Sequence, residues 1–375
     1  MKYVDEFRDG EAVEQLLRAV REQATRRWVL MEVCGGQTHN LLRYGIDEAL
    51  QSTIELIHGP GCPVCVTPAE VIDQAIEIAF RPDTVLASFG DMLRVPGHRG
   101  TLQSAKMKGA NLAMVYSPLD AVEMARRQPA TKIVFFAVGF ETTAPATALA
   151  VRQAAEWGLD NFRLLAAHVR VLPAMVALAR QPDCRVEAFL AAGHVCTVTG
   201  YHDYQAFVDR YTIPVVVTGF EPVDLLQGIL GAVRQLERGE ARVENAYPRS
   251  VREHGNASAR QLVDEIFVPC DAPWRGLGVM PGGGLRMRPQ WQRFDASADP
   301  GGEATALPVA EDGDSADCRA ADVLLGQIKP PACPLFGREC TPDSPRGAPM
   351  VSSEGACAAY FRFRAAEVGG GDHGV

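Results

Sequence analysis

Residues 28–39 read WVLMEVCGGQTH: a mostly apolar run ends on Cys34 and turns at once into Gly35-Gly36-Gln37-Thr38-His39. A short run of this kind, without strict polar alternation, is the pattern of a strand buried on both faces, as in parallel sheets covered by helices. It recurs at 53–57, 84–88 and 111–116, and again at 132–138, 162–167, 186–191 and 213–218. Amphipathic stretches at 41–50, 68–79, 102–108, 143–157, 172–180 and 202–210 separate these runs. One helix is expected before them, over 11–26, and one after them, over 223–237. Strands alternating with helices predict an α/β protein with two Rossmann-like parallel-sheet domains, expected over 1–130 and 131–240. The strings VGFETTAP (138–145) and TGFEPVD (218–224) fit a duplicated architecture. Beyond residue 238 the periodicity stops. Residues 271–350 are rich in glycine and proline yet carry spaced cysteines, so 241–375 is expected to be a smaller loop-rich iron–sulfur domain. The acidic, alanine-rich 296–317 reads as a linker.

Composition narrows the function. Of 375 residues, 47% are hydrophobic, enough for sizeable cores, and the net charge of −9 comes without a long basic run. Nucleic acid and anionic membranes are therefore not expected as partners. The acidic, amphipathic start lacks the features of a signal peptide, and no apolar run approaches the ~20 residues that span a bilayer. The expectation is a cytoplasmic protein, a compartment where clustered cysteines serve as metal ligands or redox groups. No GxGxxG loop or P-loop marks a nucleotide site.

The sharpest motif is Gly59-Pro60-Gly61-Cys62-Pro63-Val64-Cys65-Val66-Thr67-Pro68. Thr67, Pro68 and Glu70 read as a capping box, which would put the Cys-x-x-Cys at a helix N-terminus, where thiolate is favoured. Half of a zinc site is the bland reading; redox or metal-assisted thiol chemistry is the sharper one. Cys34 and the Cys62/Cys65 loop follow consecutive strands, and ligands gather at strand carboxyl ends in open parallel sheets. The next strand is expected to deliver Asp91 to the same rim. Three thiols, His39 and a carboxylate there would suit a thiophilic metal such as iron. A second strand-end set holds Glu141, His168, His194 and Glu221, while Cys184, Cys196 and Cys270 read as ordinary thiols. In the tail, Cys318, Cys333, Cys340 and Cys357 have the spacing C-x14-C-x6-C-x16-C, too open for a zinc ribbon and suited to a 4Fe-4S cluster.

In order along the chain, these motifs resemble the HypD family of hydrogenase maturation factors. The resemblance rests on MKYVDEF (1–7), MEVCGGQTH (31–39), HGPGCPVCVTP (58–68), SFGDMLRVPG (88–97), GFETTAP (139–145), GFEPVDLLQG (219–228), WRGLGV (274–279), CPLFGRECTP (333–342) and MVSSEGACAAY (350–360). It implies a redox-active metallocofactor assembly scaffold rather than a conventional enzyme. On it, an Fe(CN)2CO unit would be built for nickel–iron hydrogenases, together with a HypC-type chaperone and a HypE-type cyanide donor. It implies that Cys34 binds the iron, that Cys62 and Cys65 cycle between dithiol and disulfide, and that the four tail cysteines hold the cluster. Some relatives have histidine where Gln37 stands, and some have cysteine where Pro349 stands. In others the first tail cysteine falls at the place of Ala320. The competing expectations are a free-standing iron–sulfur dithiol/disulfide oxidoreductase and a zinc-stabilised binding module.

Overall fold

The computed structural model describes residues 5–298 and 317–364. Eight of its strands fall where the sequence places them: β1 (Trp28–Glu32), β2 (Ile54–His58), β3 (Thr84–Ser88), β4 (Leu112–Met114), β5 (Lys132–Gly139), β6 (Phe162–His168), β7 (Ala188–Ala192) and β8 (Val215–Thr218). Three more follow: β9 (Val243–Asn245), β10 (Phe267–Trp274) and β11 (Gly278–Met287). β1–β9 form two parallel sheets, ordered β2-β1-β7-β8-β9 and β4-β3-β5-β6, and β10 and β11 pair as an antiparallel hairpin. The α/β class with two Rossmann-like sheets is as expected.

The partition of the chain is different. One compact unit draws on the described residues of 1–62, 174–256 and 317–375, and the other on those of 63–173 and 257–316. The units thus interleave instead of following 1–130, 131–240 and 241–375. The described residues of the last block divide between the two units rather than standing as a small domain of their own. Most of the linker expected at 296–317 lies outside the described residues.

In the first unit the sheet order, counted within the unit, is 2-1-3-4-5, so the direction of strand addition reverses between β1 and β7. Strands β1, β2, β7 and β8 contribute Leu30, Leu56, Leu190 and Val216 to one core, which Leu17, Val20, Leu225 and Ile229 complete from the helices Gly10–Gln23 and Pro222–Glu237. Asp9 caps the first of these helices by accepting from the Ala12 N–H at 2.8 Å. The tail helix Ala356–Arg364 is tied to the same unit by Arg364, only 8% exposed, which pairs with Asp47 and with Glu48 at 2.8 Å. The second unit repeats the plan as 2-1-3-4, reversing between β3 and β5. Its core joins Phe135, Phe162 and Val151 to Phe267 and Leu285 of the hairpin.

Interleaving has a consequence for fragments. Residues 1–130 alone would leave β1 without β7 and expose an unpaired edge at the centre of the sheet. We expect that fragment to show no cooperative urea transition. A sigmoidal two-state transition would contradict the assignment of β7–β9 to the sheet of β1.

Candidate functional site

The first unit brings Cys34 to the point where its sheet order reverses. Glu32 ends β1, and Cys34 takes an extended conformation (φ −149°, ψ 119°) as the cap of the helix Gly35–Arg43. Its carbonyl accepts from the Gln37 and Thr38 N–H groups, both at 3.0 Å. Close contact leaves no space for side chains around it. A Cβ on Gly61 would lie 2.2 Å from the Cys34 nitrogen, and one on Gly35 2.2 Å from the Glu354 carbonyl oxygen. The Gly35 N–H donates to Gly61 O at 3.0 Å, and the Gly59 N–H donates to Glu32 O at 2.9 Å. The loop leading into Cys62 is therefore seated against the Cys34 backbone, as consecutive parallel strands require.

His194 supplies the imidazole. It follows β7 directly, and its Nδ1 stands 3.6 Å from Cys34 Sγ, with Phe220 packed on its ring at 5.2 Å. His39 faces elsewhere: its Nδ1 donates to Ser353 O at 3.2 Å, and its ring meets Phe363 edge-on. Gln37 pins the helix to the sheet by donating to Ala191 O at 3.1 Å and to Thr218 O at 3.4 Å. Among the described residues, Gln37 Oε1 and Glu32 Oε2 are buried acceptors without a hydrogen-bond partner. Orphaned groups of this kind cost free energy and concentrate at functional sites.

Burial sets the charge state here. It pushes the Cys34 thiol up to about 12, helped by the nearby Glu354 and Glu32 carboxylates and opposed by the backbone N–H groups of Gln37 and Gly36. Desolvation lowers His194 to about 4. At neutral pH the pair is thus a thiol beside a neutral imidazole, two soft donors 3.6 Å apart. Such a set suits a thiophilic metal that displaces the thiol proton on binding.

Cys62 and Cys65 form a disulfide. Cys65 lies within a single helical turn, Pro63–Val66, and the capping box expected after it is absent. Thr67 donates its hydroxyl to Pro63 O at 2.9 Å, and Pro68 takes the cap position of the helix Ala69–Ala79 without a side-chain bond. The reason is local: the turn through Pro63 uses the Thr67 hydroxyl before the next helix begins.

Asp91 does not share the edge of Cys34, because β3 belongs to the other sheet; its carboxylate is exposed and lies 3.9 Å from Arg94. Glu141 and His168 also lie in the second unit. Glu141 Oε1 accepts from the Val171 N–H at 3.0 Å, and burial raises its pKa. His168 is lowered to about 4 by burial, and its Nε2 pairs with Thr147 Oγ1 at 3.0 Å, which makes it a packed interior residue. Of the strand-end histidines only His194 meets a thiol.

Cys318, Cys333, Cys340 and Cys357 all line one small pocket in the first unit, walled by Phe336 and Met350. None of the four is joined in a disulfide, and the Arg346 N–H donates to Cys340 Sγ at 3.3 Å. Ala320 and Pro349 line the same pocket, so a cysteine at either place would reach the same space. A pocket lined by four thiols, with a backbone N–H donated to one of the sulfurs, fits an iron–sulfur cluster.

A family model described as "HypD: Hydrogenase formation hypA family" matches residues 11–364. The chain is 44% identical over 376 residues to the hydrogenase maturation factor HypD of Escherichia coli (strain K12), covering 98% of this chain and 99% of that protein. It is 45% identical to the proteins of that name from Rhodobacter capsulatus (98% and 100% covered) and Azotobacter vinelandii (97% of each). The chain belongs to the HypD family. Of the strings that carry the resemblance, MEVCGGQTH and GFEPVDLLQG fall at strand ends of the first unit, GFETTAP at a strand end of the second, and CPLFGRECTP at the tail pocket. No helix among the described residues is long and apolar enough to cross a membrane.

With its thiol raised to about 12, Cys34 holds about 1000-fold less thiolate near pH 8 than an ordinary cysteine. We expect iodoacetamide, followed by peptide mapping, to label Cys34 far more slowly than Cys184. The Cys34 rate should climb about tenfold per pH unit beyond pH 9. Labelling at the rate of Cys184, with a plateau near pH 9, would contradict that environment.

Proposed function

We propose that this HypD-family chain is a maturation factor for nickel–iron hydrogenases: a scaffold on which iron receives cyanide and carbon monoxide, working with a HypC-type chaperone and a HypE-type cyanide donor. The observation that carries this reading is the Cys34 Sγ to His194 Nδ1 approach at 3.6 Å, beside the loop that leads to Cys62. Iron is the substrate. Cys34 binds it through sulfur and loses its proton in doing so; His194 stands where it can donate its Nδ1 lone pair or orient the sulfur. The packed backbones of Gly35 and Gly61 hold the thiol in place while ligands are exchanged.

Cys62 and Cys65 hold two electrons as a dithiol and release them, with two protons, on closing to the disulfide. Cys318, Cys333, Cys340 and Cys357 would hold a 4Fe-4S cluster, which when bound supplies one-electron transfer. The free-standing oxidoreductase reading accounts for the disulfide but leaves Cys34 and His194 without a task.

The test is maturation itself. In a host deprived of its own HypD-family factor, the wild-type chain should restore nickel–iron hydrogenase activity, whereas Cys34→Ala and Cys340→Ala should not. Purified Cys340→Ala should lose the brown iron–sulfur absorption while keeping its far-ultraviolet dichroism; Cys34→Ala should keep both. Full restoration by Cys34→Ala would refute the reading.

A further inference from the structure

A chain of buried polar groups in the first unit runs from Glu32, beside Cys34, to His58 and Tyr360, two residues the chemistry above does not use. Glu32 ends β1 and His58 ends β2, and the two are register partners. Glu32 is 0% exposed and His58 2%. His58 is held at both ring nitrogens: Nδ1 lies 2.6 Å from Glu32 Oε1, and Nε2 lies 3.0 Å from the Tyr360 hydroxyl. A carboxylate can only accept, so Nδ1 carries the proton of that bond. Nε2 pairs with the phenol oxygen. The Tyr360 ring also stands edge-on to the imidazole, 5.3 Å between centroids. The Thr38 hydroxyl donates to the same Glu32 oxygen.

These residues come from four elements, which adjoin or carry three sulfur sites. Cys34 lies between Glu32 and Thr38. Cys62 follows His58 through the tight Gly59–Gly61 turn. Cys357 stands three residues before Tyr360, so both lie on one face of the helix Ala356–Arg364. The face that offers Cys357 to the tail pocket also offers the phenol to His58.

We propose that the Glu32–His58–Tyr360 chain is a positioning link that fixes the turn bearing Cys62 against the helix bearing Cys357, and so sets the dithiol/disulfide equilibrium of Cys62 and Cys65. It rests on the reading of those cysteines as a redox pair. The step is balanced: the disulfide takes two electrons and two protons, its S–S bond breaks, and two thiols form. A dithiol buffer supplies the electrons in the test. The link is intact while the disulfide is closed; on this proposal it holds the turn in that form, so loosening it moves the couple toward dithiol.

The experiment uses the full chain, equilibrated without oxygen in graded mixtures of reduced and oxidised dithiothreitol. The redox state of the 62–65 peptide is read by alkylation and mass spectrometry. Tyr360→Phe removes only the hydroxyl. It should shift the equilibrium about tenfold toward dithiol, about 30 mV for a two-electron couple, while keeping the brown absorption and the far-ultraviolet dichroism. His58→Gln should shift it in the same direction, and it decides the matter should Tyr360→Phe not fold. Phe361→Leu, on the same helix but outside the chain, should lower stability and leave the couple where it is. Unmoved couples in both Tyr360→Phe and His58→Gln would overturn the proposal, as would an equal shift in Phe361→Leu. A wild-type chain with no two-electron couple at 62–65 would instead remove the redox-pair reading, and this inference with it.

Discussion

Parallel strands on either side of a reversal in sheet order send their following helices to opposite faces, and a crevice opens between their carboxyl ends. In the first unit β1 and β7 are those strands, and they lead into Val33-Cys34 and Gly193-His194. A thiol and an imidazole separated by 160 residues of sequence meet at 3.6 Å for that reason. The second unit has the same reversal between β3 and β5, whose ends carry Asp91 and Glu141. The plan is shared, with a thiol and an imidazole after the reversal strands of the first unit and two carboxylates after those of the second.

Packing then sets reactivity. Glycine at 35 and 61 lets backbone press on backbone, and the resulting burial drives the Cys34 thiol up to about 12. A buried protonated thiol resists oxidation and stray alkylation, yet it yields its proton to a metal, because the metal–sulfur bond replaces the solvation that burial removed. Protection against premature reaction and readiness for a soft ion thus follow from one feature.

Much of this was legible in the sequence. Strand periodicity located β1–β8 to within a few residues, and the strand-end rule put Cys34 and the 59–65 loop on one edge. The partition was not legible: the chain leaves the first sheet after β2 and rejoins it at β7, and all of these strands have the same apolar composition, so nothing in the pattern marks the exchange. That hid the separation of Asp91 from Cys34. The β10–β11 hairpin was masked by Pro269, Pro273 and Pro281, and by Gly276, Gly278 and Gly282 at positive φ, which read as loop. His39 looked closer to Cys34 than His194 because it is only five residues away. On a helix, five residues turn the side chain roughly 140° around the axis, and His39 meets the tail instead.

Infrared spectroscopy of the chain purified together with a HypC-type chaperone, the partner proposed for it, tests the proposed role of Cys34 most directly. The wild-type complex should show cyanide and carbonyl stretches of an iron-bound unit, and Cys34→Ala, with its iron–sulfur absorption intact, should show neither. The same bands at undiminished strength in Cys34→Ala would mean that the iron is held elsewhere.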